Sequence, residues 1–184
     1  MKRSMLCVVR FLSMAAVMAG VCMIFASDGW AQQKQKVSFK VSAANSKYTQ
    51  QHVLDVGDVP GHQVRVYEIH RTFPTDAPRV EGVRFVEVWT RGFSDYIDLN
   101  GPSTVYSTYT LENGDKIFVR TDLISQTATN ADGSRKTTSS NAGRITGGTG
   151  KFRGIQGTFI SITKSDIKAG LNETQTDIEY WMGT

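Results

Sequence analysis

Beyond residue 31 the chain has no cysteine; Cys7 and Cys22 both precede that point. A domain built from the remainder therefore has no disulfide, no thiolate metal site and no cysteine nucleophile. Its apolar core must hold it together. Strong charge of one sign is also lacking. The whole chain carries 21 Lys and Arg against 17 Asp and Glu, but Lys2, Arg3 and Arg10 fall in the first ten residues, so the rest is close to neutral. No basic run marks a nucleic-acid surface, and no nucleic-acid partner is expected. Stretches of helical period are almost absent. There is no Gly-x-Ser-x-Gly elbow, no His-x-His pair of cupin type and no His-Glu-x-x-His helix. Nothing in the pattern calls for a metal or another cofactor.

The first residues have the layout of a secretory signal peptide. A basic start precedes an apolar run from Phe11 to Ala26, interrupted by Ser13 and Gly20. Gly29-Trp30-Ala31 then offers small residues before a cut, and a polar segment begins at Gln32. That arrangement predicts cleavage. The uninterrupted apolar core is short against the roughly 20 residues of a membrane span. Val21 before Cys22 does not suit lipidation. The expectation is a signal peptide over residues 1–31, a flexible segment over 32–46 and a single domain over 47–184. The product is secreted or periplasmic and has no membrane partner once cleaved.

The rest reads as strands separated by turn signals. Val37, Phe39 and Val41 alternate beside a polar stretch and are read as an arm. Strands are expected at 48–54, 63–73, 83–91, 103–111, 116–127, 136–145, 155–164 and 174–182. Asn113-Gly114 is the strongest local signal, because both residues tolerate the positive φ of a two-residue hairpin turn. Gly92 to Pro102 is expected to be a long connection. Successive short links favour antiparallel neighbours, and a sheet of this size tends to curl and close. The expected fold is all-β, an eight-stranded antiparallel closed β-barrel whose interior is filled by side chains or holds one small ligand. A β-sandwich is the alternative.

The run from Gly147 to Gly157 invites a phosphate-loop reading, which its spacing refuses. Gly150-Lys151 is followed by Phe152 rather than Ser or Thr, and Ile145 stands where the first P-loop glycine belongs. These glycines are expected to let a strand turn a corner. Ile145-Thr146-Gly147-Gly148-Thr149-Gly150-Lys151-Phe152, with Gly154 and Gly157, resembles the Gly-Gly-Thr-Gly-Lys/Arg-Phe segment of the allene oxide cyclase and dirigent families. The segments 55–63, 112–115 and 179–181 are similar to secreted bacterial allene oxide cyclase barrel-like proteins. The likeness runs from about Tyr48 to Trp181. It implies a calycin-type barrel with an apolar cavity, commonly in a homo-oligomer. Those plant families close a ring or steer radical coupling largely by cavity shape. No functional residue of theirs can be matched outside the glycine motif.

Among chemistry-bearing residues, Glu68 and His70 share a face of one strand, and Glu87 on the next approaches them if the register allows. The strand from Val83 places Phe85, Glu87 and Trp89 in one alternating set. If that set points inward, Glu87 is a buried carboxylate with a raised pKa and is the candidate acid or base. If not, it pairs with an arginine such as Arg65 or Arg120, or faces solvent. Arg120 and Asp122 are expected to form a solvated ion pair. Phe85, Trp89, Tyr106 and Phe118 are the candidate ligand-binding residues, and the same residues would also make an ordinary core. Asn172-Glu173-Thr174 is a glycosylation sequon, meaningful in a eukaryotic source. Three functions follow as expectations: an exported barrel binding a small apolar or aromatic molecule, an isomerase or cyclase acting by cavity shape, or a scaffold that works through its outer faces.

Overall fold

A computed structural model describes residues 33–74, 77–166 and 171–183, apart from the side chains of 171 and 172. The expected signal peptide and the side chain of the sequon asparagine Asn172 fall outside what is described. Ten strands follow in order: β1 (Gln35–Val41), β2 (Ser46–Asp55), β3 (His62–Thr72), β4 (Arg79–Val80), β5 (Val83–Ile97), β6 (Gly101–Leu111), β7 (Lys116–Thr129), β8 (Arg135–Gly148), β9 (Ile155–Asp166) and β10 (Leu171–Met182). Nine lie in one sheet, ordered β1-β10-β9-β8-β7-β6-β5-β3-β2, and the two-residue β4 pairs with β5. Every pairing is antiparallel. Short links between consecutive strands make that arrangement the accessible one. No helix among the described residues is long and apolar enough to cross a membrane.

The segment read as an arm is β1. It pairs with β10 from Gln35↔Tyr180 to Val41↔Thr174. Its alternate residues explain this: Val41 is buried, and Val37 and Phe39 pack on the core. Strand β5 also runs further than expected, passing through Gly92 to Ile97.

Hydrogen bonds do not close the sheet into an eight-stranded barrel; β1 and β2 are its two edges. The sheet is nevertheless strongly curled, by a simple argument of lengths. Laid flat, nine strands at ~4.8 Å spacing would hold β1 and β2 about 38 Å apart. Yet Val41 ends β1 and Ser46 begins β2, and five residue steps reach at most about 18 Å. The two edges are therefore brought together by one short piece of chain.

The concave side is divided along its length. One end is an apolar core that includes Val80, Phe85, Leu111 and Phe152, each at most 1 % exposed. The glycine motif builds this end. A 3-10 turn over Gly150–Phe152 drops Phe152 into the core. Gly150 has φ +51°, and a Cβ there would meet the Asp115 carboxylate, which accepts the Lys151 N–H at 3.0 Å. The motif thus turns a corner as its spacing suggested. The other end is polar, with buried Ser94, Ser103, Thr121, Ser125, Ser161 and Thr176.

A β-bulge lies between Phe85 and Glu87, where β5 inserts Val86 against β6. Side chains alternate strictly only in an unbroken ladder, so one extra residue reverses the phase. Phe85 points into the core, while Val88 and Thr90, not Glu87 and Trp89, continue its face.

Candidate functional site

Between the apolar and polar ends lies a cavity of about 150 Å³. Side chains from all nine strands of the sheet path line it. Its walls include Tyr48, Tyr67, Tyr96 and Tyr109, with Phe39, Phe73 and Phe159 toward the apolar end. Tyr48 is 51 % exposed on the edge strand β2, which places the rim there. Around the polar half, hydroxyls bond in cross-strand pairs: Ser125–Ser139 at 2.7 Å, Thr163–Thr174 at 2.9 Å and Thr90–Ser107 at 3.1 Å. Tyr96 reaches Ser125 at 3.0 Å, and Tyr67 reaches Ser103 at 3.3 Å.

Two arginines, Arg65 and Arg71, project from β3 into the same space. They share the inward phase with Tyr67, Ile69 and Phe73. No carboxylate among the described residues lines the cavity or pairs with either guanidinium. Arg71 donates from Nη1 to Thr90 Oγ1 at 3.3 Å, and Arg65 from Nη2 to Gln63 Oε1 at 2.5 Å. The Nε atoms of both are buried without a partner.

Burial pushes the Tyr67 phenol up to about 12 and raises Tyr109 as well. Burial also raises Tyr48, against the opposing pull of the Arg71 and Arg65 charges. The Arg71 pKa is lowered by the same desolvation, with the surrounding tyrosines Tyr109, Tyr48 and Tyr67 acting against it. A guanidinium stays protonated through such a shift.

The residues singled out in the sequence lie elsewhere. Phe85 is in the packed core and does not touch the cavity. Trp89 and Phe118 line a shallow groove on the outer face, together with Glu68, Glu87 and Arg91. Tyr106 is 58 % exposed on that same side, opposite Arg91 and Arg120. The four aromatic candidates thus do not share a face. Glu87 is not a buried carboxylate of the interior, because the bulge turns it outward. It pairs with neither Arg65 nor Arg120 but with His70, Nε2 to Oε2 at 2.7 Å. The register condition set for His70 and Glu87 is met, though Glu68 binds Arg91 at 2.8 Å instead. A cyclase working inside the cavity loses its one named acid. The Arg120–Asp122 pair forms at 3.1 Å, as expected.

Arg65 and Arg71 were not read as cavity residues from the sequence because arginines are ordinarily placed outside. The signal available was their phase: Arg65, Tyr67, Ile69, Arg71 and Phe73 alternate as one set, and its apolar members belong inside.

No protein-family model matches the chain, and no curated protein matches it. Three solved structures are similar to it. The pterocarpan synthase dirigent protein GePTS1 is 14% identical, over 86% of this chain and 94% of that one, at a TM-score of 0.45. Pyocyanin demethylase is 16% identical, over 77% and 99%, at 0.39. The pterocarpan synthase dirigent protein PsPTS1 is 17% identical, over 83% and 97%, at 0.33. Dirigent proteins thus stand among the similar structures, and a likeness of this degree says nothing of activity.

Proposed function

We propose that this is an exported small-molecule-binding protein that takes a compact, ring-bearing ligand into the cavity of its curled sheet, read as a calycin-type barrel open along the β1–β2 seam. One observation carries the reading: the cavity receives side chains from all nine strands, and four of them are tyrosines. Aromatic rings set beside placed polar groups are how proteins hold and orient small ligands. The volume suits a single ring, since a cavity of about 150 Å³ accommodates benzene. Native mass spectrometry of the protein purified from its own host tests this. A retained molecule of single-ring size is expected. A ligand-free protein that also shows no thermal shift with single-ring compounds overturns it.

A second reading has its own observation. Phe93, Ile124, Ile160 and Ile162 are each 45 % to 55 % exposed and line one outer-face depression with Pro102 and Ala142. Copies of the chain assembling through this face would cover it. Light scattering tests the assembly: Ile124→Asp and Ile160→Asp are expected to yield monomers from a larger species. A monomeric wild type removes this reading.

A further inference from the structure

We propose that the ligand of this cavity is an anion, specifically a compact aromatic carboxylate, and that Arg71 is the residue that receives it. This rests on the binding reading above. A buried ionised group is retained at a cost unless it is paired and hydrogen-bonded. Most buried arginines meet that cost with a carboxylate. Arg71 does not: its one side-chain partner is the Thr90 hydroxyl, at the long distance of 3.3 Å, and its buried Nε has none. Its neighbours are phenols, which burial keeps protonated and neutral. The fork of a guanidinium matches a carboxylate in a bidentate manner, and Arg71 is one of the residues that line the cavity.

Arg65 adds to the same field. It lies six residues earlier on the same face, about 20 Å away along the backbone at ~3.3 Å per residue. The two guanidinium groups nonetheless both act on the Tyr48 phenol. Two like charges with no acidic counterpart among the described lining residues give a small space a positive potential, which favours an anion and disfavours its neutral analogue. Arg71, beside buried Thr90 and Tyr109, is the deeper anchor. Arg65 lies toward the polar end, opposite Ser94. The aromatic rings supply the walls for the apolar body of the ligand.

The test uses two pairs of probes of near-equal shape: benzoate with benzamide, and cinnamate with cinnamamide. Each is titrated into the mature protein by calorimetry, with Arg71→Met and Arg71→Lys alongside. The acids are expected to bind at least about tenfold more tightly than the amides, a factor worth about 1.4 kcal/mol. Arg71→Met is expected to abolish that preference, and Arg71→Lys to keep part of it. The amide arm reports whether each variant is folded with its cavity intact. Equal affinity for acid and amide in the wild type overturns the anion inference and leaves the binding reading standing. Failure of all four probes to bind overturns both. A preference that survives Arg71→Met removes Arg71 as the anchor.

Discussion

Gly92 lies directly under the ring of Tyr67: a Cβ at position 92 would stand 2.3 Å from Tyr67 Cζ and 2.4 Å from its hydroxyl oxygen. The two residues are register partners on β3 and β5. The absence of a side chain at 92 is therefore what lets Tyr67 lie across its neighbour and reach Ser103. Gly92→Ala is expected to lift the ring and break that hydrogen bond. Forcing one extra methyl into such a contact costs about 1–3 kcal/mol. Urea denaturation should show the loss, and any cavity ligand should bind more weakly. A variant with unchanged midpoint and affinity would mean that the ring moves aside at no cost.

That glycine also shows where the sequence was hard to read. Gly92 looks like a strand terminator, since glycine weakens strands in general. Its tertiary role, space for a tyrosine, comes from a residue on another strand and is invisible locally. The Val86 bulge has the same character. It shifts the phase of one strand, so the alternation of Phe85, Glu87 and Trp89 was correct as a pattern and misleading as a face. By contrast, the strands on either side of Asn113-Gly114 depend on neighbouring residues and form as expected; the link between them runs from Glu112 to Asp115 rather than over two residues, and of the pair only Gly114 takes a positive φ, 84°. Strand β8 is legible only as extended: its inward residues are Thr137, Ser139 and Asn141 at the polar end, so no hydrophobic alternation marks the inside.

The apolar end should dominate stability. Phe152 is 0 % exposed and packs with Phe85, Leu111 and Ile155 in the core cluster. Phe152→Ala removes a whole ring where rigid strands limit collapse. Such truncations cost about 3–5 kcal/mol. Chemical denaturation of the variant should show a lower midpoint with little change in slope. A loss below about 1 kcal/mol would mean that the glycine turn rearranges to refill the space.

His62 holds the turn before β3 to the end of β5. Its Nδ1 meets Asp58 Oδ1 at 2.6 Å, and its Nε2 meets Asp95 Oδ1 at 2.7 Å. Hydrogen bonding to Asp95, and then to Asp58, raises the imidazole pKa above its ordinary 6.5. The Asp58 carboxyl is lowered below 3.8, first by the Val59 N–H and then by His62. A raised base stabilises the folded form fully below its unfolded pKa and loses that effect as pH rises through the folded value; a lowered acid does so above its unfolded pKa and loses it as pH falls. The clamp is thus complete between about 4 and 6.5. Amide exchange at His62 and Asp98, whose N–H groups bond Val59 and Gly61, should quicken as His62 deprotonates, beyond the intrinsic dependence on pH. His62→Gln should remove that extra dependence. An NMR titration giving His62 an ordinary or lowered pKa would refute the clamp.

A final consequence concerns Arg71 in the empty protein. On the binding reading proposed above, a guanidinium whose one side-chain partner is the Thr90 hydroxyl serves ligand capture and not folding. Replacing buried ionic groups with apolar residues of similar volume is often neutral or stabilises by about 1–4 kcal/mol. Methionine matches the length of the arginine stem and leaves Thr90 bonded to Ser107 at 3.1 Å. Arg71→Met is therefore expected to unfold at a higher temperature than the wild type, by about 2–4 °C for each kcal/mol gained in a domain of this size. Differential scanning calorimetry without ligand measures it. With a bound carboxylate the order should reverse, since only the wild type gains from an occupied site. If Arg71→Met melts well below the ligand-free wild type, Arg71 is a structural residue whose hydroxyl and phenol neighbours already satisfy it.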